Sequence, residues 1–511
     1  MIPVLTAAET QALDRETEAR GVSIEVLMER AGHGVARAAV EVAGGTYGRR
    51  VTAICGKGNN GGDAMVAARL LRRWGMRADV ILLADPSDLG GPAALNLQRL
   101  ASAGVRTLRW GEPASSRAIG RGDVLLDGLF GSGFRGTAEG AYAEAIEALN
   151  SAGTPVVAVD VPSGVEGDTG IVRGSAVRAV RTVTFGAPKA GDVLHPGAAL
   201  AGAIDVVDIG FPPELVTSDL LLIEPSDVRR LLPRRPPDAH KHGSGDVLVV
   251  AGSRRMTGAA RLVAEGAYRA GAGLVHVAAP EGILPALQSG LTEAVFIALP
   301  EGPTGSVAEG AWDALAGRMD RFDAVAVGPG LTVEEGTPAF ARRLVRESPV
   351  PVVADADAIN AFDDRVAEIR ERAADLVLTP HTGEFARLFG MPAADVLEDR
   401  VGFTRKAAAD AGAVLVLKGP RTLVGLPGGE VRINPTGSPA LATGGTGDVL
   451  AGMIAAYLAR GLAPPDAATV AVFVHGLAGE VVGRRLGEGG TAPDVALAIP
   501  AAVLALQEEV A

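Results

Sequence analysis

The sequence predicts an α/β protein built as two tandem three-layer domains, and three observations carry that prediction. Short apolar runs ending in Gly, Asp or Pro alternate with helical patterns along most of the chain. The stretch LLPRRPPDAHKHGSG, residues 231–245, breaks that alternation with proline and charge. At 511 residues the chain also exceeds what one core usually accommodates.

Taken in order, 50–55, 79–84, 124–127 and 156–161 read as strands buried on both faces, with helical patterns such as 63–74 and 141–151 between them. Such strands imply a mostly parallel sheet, because helices must cover both faces. The pattern weakens after 206–209, and the proline-rich stretch cannot hold a helix or a central strand. We therefore expect domains over 1–220 and 241–511, joined by a linker over 221–240. The second alternation opens with DVLVVAGS (246–253) and continues through AGLVHVAAP, FDAVAVGPG, PVVADADAIN, DLVLTPHTGE and AVLVLKGP. No repeat of fixed period is present. In two parallel sheets, ligands are expected beyond the carboxyl ends of the strands.

Composition narrows the function. The residues are 48% hydrophobic and 21% charged, as in globular proteins, and the net charge is −12 without a basic block. Nucleic acid and anionic membranes are thus not expected as partners. Phosphate-bearing small molecules remain open, since helix N-termini bind anions whatever the global charge. The single cysteine, Cys55, excludes an intrachain disulfide and reads as a small core hydrophobe. Glu9 and Asp14 near the N-terminus argue against a secretory signal, and the apolar run 449–459 is too short to span a bilayer, so a cytoplasmic protein is expected. His240 and His242 read as a solvated linker pair. A homo-oligomer is expected, as long α/β chains often assemble symmetrically.

Two segments match G-x-G-x-x-G, GKGNNG at 56–61 and GSGFRG at 131–136. The first follows a strand and opens a helix, and Asp85 ends the next strand where a ribose-binding acid would sit, so an ordinary dinucleotide fold is one reading of 1–215. Against it, NNGGD places side-chain oxygens where that fold prefers bare backbone. DGLFGSGFRGT adds Asp127, and AVDVPSGVEGDTG adds Asp160 and Ser163. Three polar strand ends look like one pocket, although Asp160 and Ser163 also suit turn or helix caps.

GKGNNGGD, DGLFGSGFRGT, VDVPSGVEGDTG and FGAPKAG together resemble the NAD(P)H-hydrate epimerase family, over about 200 residues of Rossmann-like fold. The resemblance implies that Asn59, Asn60, Gly61, Gly62 and Asp63, with Gly131, Ser132, Gly133, Phe134, Arg135, Gly136 and Thr137, bind the hydrated nucleotide. It implies Asp160 as substrate-binding and catalytic acid, and Asn60, Asp127 and Ser163 as potassium ligands. An all-oxygen set with one formal charge suits a monovalent ion. Epimerisation at C6 of the ring needs the hydroxyl to leave with a proton and water to return on the other face. One placed carboxylate can donate and recover that proton. Lys189 in FGAPKAG is a second candidate, or a phosphate contact.

In the second domain GGTGDVLAGM, residues 444–453, is not a P-loop, because no lysine follows its glycines. It offers backbone N–H groups at a helix start and Asp448 in the first turn, which suits transfer of a phosphoryl group. The plainer reading is an aspartate favouring its own helix dipole, worth at most about 1 kcal/mol. The motif resembles the anion hole of the ribokinase-like superfamily. With GSRRMTGAARLVAEGAYRAGAGLV, VGPGL, DADAIN, LTPHTGE, LKGPRT and NPTGSPALATGGTGDVLAG, residues 240–505 resemble ADP-dependent NAD(P)H-hydrate dehydratases. That implies hydrate binding by Ala272, Gly330, His381 and Asp448. It also implies ADP binding by Lys418, Gly419, Pro420, Arg421, Thr422 and Gly447, with magnesium on the nucleotide oxygens. His381 alone would read as a residue satisfying a backbone carbonyl, and Asp355 and Asp357 as a common acid pair ending a strand.

The resulting expectation is a bifunctional enzyme that repairs hydrated NADH and NADPH, with Asp160 and Asp448 in separate sites. The alternatives are a small-molecule kinase fused to a nucleotide-binding regulatory domain, and a nucleotide-sensing protein without activity.

Overall fold

The computed structural model describes residues 1–508 apart from Ala239 and Glu335. The chain divides into two compact units, Ile2–Ser218 and the remainder from Asp219. After a short β1 (Ile2–Pro3), the first unit contains β2 (Arg50–Cys55), β3 (Arg77–Leu82), β4 (Arg106–Arg109), β5 (Val124–Gly128), β6 (Val156–Val159), β7 (Arg181–Phe185) and β8 (Ala203–Val207). Their order is β4-β3-β2-β5-β6-β7-β8, with every neighbouring pair parallel. The chain reverses its direction of travel across the sheet between β2 and β5, the place where such sheets open a crevice.

β5 and β6 are buried at every position because layers cover both faces. Val124 and Leu126 enter one core while Leu125 enters the other. On the first face the helices Ile24–Ala43 and Asn59–Arg73 pack so closely that a Cβ on Gly32 would stand 2.4 Å from Val66. That approach requires glycine.

The second unit carries β9 (Leu220–Leu222), β10 (Asp246–Val250), β11 (Leu274–Pro280), β12 (Val295–Leu299), β13 (Ala324–Val327), β14 (Val352–Ala354), β15 (Leu376–Leu378), β16 (Val414–Leu417), β17 (Leu423–Gly425) and β18 (Val431–Ile433). The order is β9-β18-β17-β16-β15-β14-β13-β10-β11-β12. Only the β16–β17 and β17–β18 pairs are antiparallel among these neighbours. β10 sends Val247 and Val249 to one core and Leu248 and Val250 to the other, the signature of three layers.

The expected linker over 221–240 is corrected by this sheet. Leu220–Leu222 pairs with β18, and the helix Pro225–Leu231 follows at once. Ile223, Val228 and Leu232 lie in the core of the second unit, so only the residues after them form a connector. Apolar positions at 223, 228 and 232 outweigh the prolines because they have a core to enter. His240 is exposed, as a linker histidine should be, and the His242 side chain falls outside the described residues. Cys55 is fully buried. One helix among the described residues, Pro464–Leu486, is long and apolar enough to cross a membrane, but most of it lies inside the second unit's core.

Candidate active sites

In the first unit the loops after β2, β5 and β6 meet at one end of the sheet around a cavity of about 480 Å³. Asp160 directly follows β6 and takes a left-handed conformation, φ 66°. A non-glycine residue held there is strained, and such strain concentrates at functional sites. Its Oδ2 accepts the Ser132 N–H at 2.8 Å, and its Oδ1 faces the Lys189 ammonium at 3.1 Å. Burial pushes the Asp160 carboxyl up, but Lys189 and the Ser132 amide together hold it below the usual carboxylate value. Asp160 is therefore an anion at neutral pH, a proton acceptor before it is a donor.

Lys189 is completely buried and its Nζ also donates to Thr184 Oγ1 at 3.0 Å, Phe185 O at 2.9 Å and Ala187 O at 3.0 Å. Its place is behind Asp160, fixing both the position and the charge of that carboxylate.

Asn60, Asp127 and Ser163 come together around the Phe130 backbone. Asn60 Nδ2 donates to Phe130 O at 2.8 Å, and the Phe130 N–H donates to Ser163 Oγ at 2.9 Å. Asp127 accepts the Ser163 hydroxyl at 2.6 Å and the Ser163 N–H at 2.8 Å. Burial raises the Asp127 carboxyl to about 6 against these bonds, and none of the groups acting on it is cationic. One buried carboxylate lacking a counter-charge, beside amide, hydroxyl and carbonyl oxygens, fits a monovalent cation.

Asn59, Asn60, Asp63, Gly131, Ser132, Gly133, Phe134 and Asp160 line the cavity. Gly61 and Gly62 do not: a Cβ on Gly61 would stand 2.3 Å from Gly56 O, and one on Gly62 would meet the end of the Met28 side chain. Arg135 turns away to Asp168 and to the carbonyls of Ser132 and Phe134. The Gly136 N–H goes to Glu166, and Thr137 stands outside the lining. Asp85 caps its own turn through the Ser87 N–H at 3.0 Å, which removes it as a ribose ligand of an ordinary dinucleotide fold.

The sequence reading missed two parts of this cavity. Phe130 stacks between Phe134 and Tyr142, with ring centroids 4.5 and 4.7 Å apart, giving the cavity an aromatic wall. The helix Ala7–Ala19 supplies Ala7, Thr10, Gln11 and Asp14, spaced i, i+3, i+4, i+7. That spacing was visible, but a polar stripe reads as a solvated face until something is packed against it.

In the second unit, the loops after β13, β14, β15 and β16 and the start of the helix Thr446–Ala459 share one end of the sheet. Asp448 lies in that helix's first turn, behind Gly445 at φ 91°. Lys418, one residue past β16, ion-pairs with Asp355 at 2.6 Å, stands 3.6 Å from Glu384 and faces the Gly447 backbone. Burial pushes Lys418 down, yet Asp355 and Glu384 more than offset it. Burial, then Asp355, with Asp357 and Glu384 adding, raises the Asp448 carboxyl to about 7 against the pull of Lys418. A carboxyl poised there suits general base chemistry near neutrality.

His381 caps the helix Thr382–Leu388: its Nδ1 accepts the N–H groups of Gly383 at 2.9 Å and Glu384 at 3.2 Å. The proton therefore sits on Nε2, 3.4 Å from Glu384. The expected contact with a carbonyl is replaced by this cap, and half the ring remains open to a ligand. His381 and Lys418 are bridged backbone to backbone, which joins the hydrate and nucleotide positions. The 418–422 loop is shaped by Gly419 at φ 146° and Arg421 at φ 55°, with Arg400 donating to Pro420 O at 2.6 Å and Thr422 closing onto Gly419 O at 3.0 Å. His475, missed in the sequence, is pushed down to about 4 by burial and holds the Thr446 carbonyl at 3.0 Å, fixing the start of the Asp448 helix.

Ala272 does not join this group. It precedes β11, in the turn where its N–H meets Ala267 O at 3.1 Å, at the amino end of a parallel sheet whose other site residues follow carboxyl ends. Gly330 instead abuts Ala259 and Met256: a Cβ on Gly330 would lie 2.8 Å from Ala259 Cβ. Asp355 is occupied by Lys418 and Thr379, and Asp357 accepts the Thr332 N–H at 2.8 Å. Among the described residues no three His, Cys, Asp or Glu side chains are grouped to hold a metal ion.

Comparison with known proteins covers both units. Residues 247–501 match the NAD(P)H-hydrate dehydratase family, and residues 24–191 match the YjeF-related protein N-terminus family. The bifunctional NAD(P)H-hydrate repair enzyme Nnr of Moorella thermoacetica is 42% identical, covering 99% of this chain and 98% of its own. Its namesake from Thermofilum pendens is 41% identical over 99% and 97%. A ribokinase-like superfamily protein from Enterococcus faecalis, 24% identical, superposes with a TM-score of 0.50 over 57% of this chain and 98% of its own, which supports the fold of the second unit. With the whole chain matched at this identity, the protein belongs to the family of bifunctional NAD(P)H-hydrate repair enzymes.

Proposed function

We propose that the first unit interconverts the R and S hydrates of NADH and NADPH, and that the second dehydrates the S form at the expense of ADP, giving AMP and phosphate. The observation that carries this reading is one carboxylate in each site with its protonation set differently: Asp160 held ionised by Lys189, Asp448 raised to about 7.

In the first unit Asp160, fixed at two points, exchanges a proton with the oxygen at C6, and the aromatic wall shelters the ring. Asn60, Asp127 and Ser163 would hold a potassium ion, which supplies positive charge beside the bound nucleotide. In the second, Asp448 accepts the C6 hydroxyl proton while the backbone N–H groups at Gly445–Asp448 stabilise the phosphoryl group in transfer. Lys418 offsets charge on the nucleotide. Once phosphorylated, the C6 oxygen is a good leaving group; the ring nitrogen lone pair expels it as phosphate, and loss of a C5 proton from the resulting C6=N cation restores the C5=C6 double bond. Magnesium bound with ADP supplies further charge neutralisation.

The test uses a mixture of hydrates and the absorbance of reduced nicotinamide, with and without ADP. Asp448→Asn should abolish dehydration and spare epimerisation, and Asp160→Asn should do the reverse. Loss of both activities from either single change in a folded protein would overturn the division of labour.

A further inference from the structure

Inversion at C6 places a demand that Asp160 alone does not meet. The hydroxyl leaves from one face of the ring and water returns to the other. Asp160 is pinned by the Ser132 amide at 2.8 Å and by Lys189 at 3.1 Å, so it cannot swing between faces. Asp160 is also held ionised by those partners, so in the resting site another group must supply the proton that starts hydroxyl departure.

The helix Ala7–Ala19 provides a second carboxyl in the same cavity. Its start is fixed beside the Lys189 segment: the Leu5 N–H donates to Pro188 O at 2.9 Å, and the Ala7 N–H donates to Asp168 at 2.7 Å. Thr6 and Glu9 close a capping box over the first turn. Two turns further, about 10 Å along the axis, Asp14 lines the cavity. The family match to the first unit begins only at residue 24, beyond this helix.

We propose that Asp14 is the second catalytic acid–base residue of the epimerase, protonating the departing hydroxyl on one face while Asp160 receives the proton of the returning water on the other. This rests on reading the first unit as a hydrate epimerase. The surroundings of the two carboxyls differ in the required sense. No hydrogen bond acts on the Asp14 carboxyl; burial, the Asp160 charge and Glu18 on its own helix push it up, and Lys189 only partly offsets them. Asp63 faces the cavity from the helix Asn59–Arg73 and is itself pushed well up by burial, Asp160 and Asp14, while Lys57 stands at the rim. A carboxyl pushed up by its surroundings and one held down as an anion, both lining one cavity, suit the roles of acid and base.

The step balances. The Asp14 proton passes to the C6 hydroxyl, and the C6–O bond breaks with its electrons leaving on water. The ring nitrogen lone pair forms a C6=N double bond. Water then bonds to C6 from the other face, the double-bond electrons return to nitrogen, and the Asp160 carboxylate takes the surplus proton. Asp14 ends ionised and Asp160 protonated, the state ready for the reverse direction. Asp14 is only partly buried, so its proton also exchanges with solvent.

The experiment follows R–S interconversion by chromatography without ADP on the full chain, with ADP-dependent dehydration of the S hydrate as the control for folding. Asp14→Asn should lower kcat at least about 100-fold with KM within about threefold, and remove one limb of the bell-shaped pH profile. Asp14→Glu should restore at least about a tenth of the rate. Asp63→Asn should keep both limbs, whatever its effect on KM. Retention of kcat within about fivefold by Asp14→Asn, a raised KM with both limbs intact, or loss of the limb in Asp63→Asn instead would overturn the proposal. If the unmodified protein fails to interconvert the hydrates, the epimerase reading itself falls, separately from Asp14.

Discussion

Replacing Asp448 by asparagine should stabilise the protein while it destroys dehydration. The Asp448 carboxyl stands at about 7 against an ordinary 3.8, raised by burial and by Asp355, Asp357 and Glu384, with Lys418 opposing. The sign follows directly. Between about pH 4 and 7 the unfolded chain has released this proton and the folded chain has not, so stability falls as pH rises, and above about 7 the loss is complete. At about 1.4 kcal/mol per pH unit the ceiling is about 4 kcal/mol, and partial exposure of the side chain reduces it to about 1–3 kcal/mol. No hydrogen bond acts on the Asp448 carboxyl, so the amide forfeits nothing. Thermal melts of the nucleotide-free protein at pH 8 should show the second unit's transition rising by roughly 2–8 °C. About a third of the gain should remain at pH 5 and none near pH 4. Dehydration should fall by at least about 100-fold. An unchanged or lower transition at pH 8, or an equal gain at pH 5, would refute the account of a base held at electrostatic cost.

Three further outcomes follow from the geometry. Lys189→Met leaves the Asp160 carboxylate buried without its cation, so the acidic limb of the epimerase pH profile should move up by about 1–3 pH units; an unmoved limb would show that Lys189 does not set this charge. Exchanging potassium for sodium should slow epimerisation, and in Asp127→Asn the difference between the two ions should disappear, as rate assays in each salt would show. Gly330→Ala adds a Cβ 2.8 Å from Ala259 at φ 70° and should raise the KM for hydrate in dehydration by about tenfold or more. Ala272→Ser, at the far end of the sheet, should leave that KM unchanged, and an equal effect of both changes would restore Ala272 to the site.

The strand ends were legible because each carries its own marker. Asp127, Asp160, Asp355 and Lys418 terminate or directly follow apolar runs, and glycines mark where the chain turns past them. The three-layer organisation was legible for the same reason, since strands buried on both faces need no alternation. Other features were hidden by local composition. Prolines at 233, 236 and 237 suggested a linker, yet Ile223, Val228 and Leu232 enter a core. Ala272 resembled a binding position, yet the turn holding it lies at the opposite end of the sheet from Gly330. Gly61 and Gly62 looked like ligand contacts and lie outside the cavity lining, Gly61 against the Gly56 backbone and Gly62 against the Met28 side chain.

By itself the sequence determined the two α/β units, the strand-end loops and the two carboxylates, because burial and turn chemistry act on neighbours in the chain. Only the tertiary structure decided which carboxyl is charged. Lys189 lies beside Asp160, Asp14 lines the same cavity, and Asp355 and Glu384 crowd Asp448 around Lys418. Proton affinity depends on burial and on charges a few ångströms away through space, and those neighbours come from distant parts of the chain.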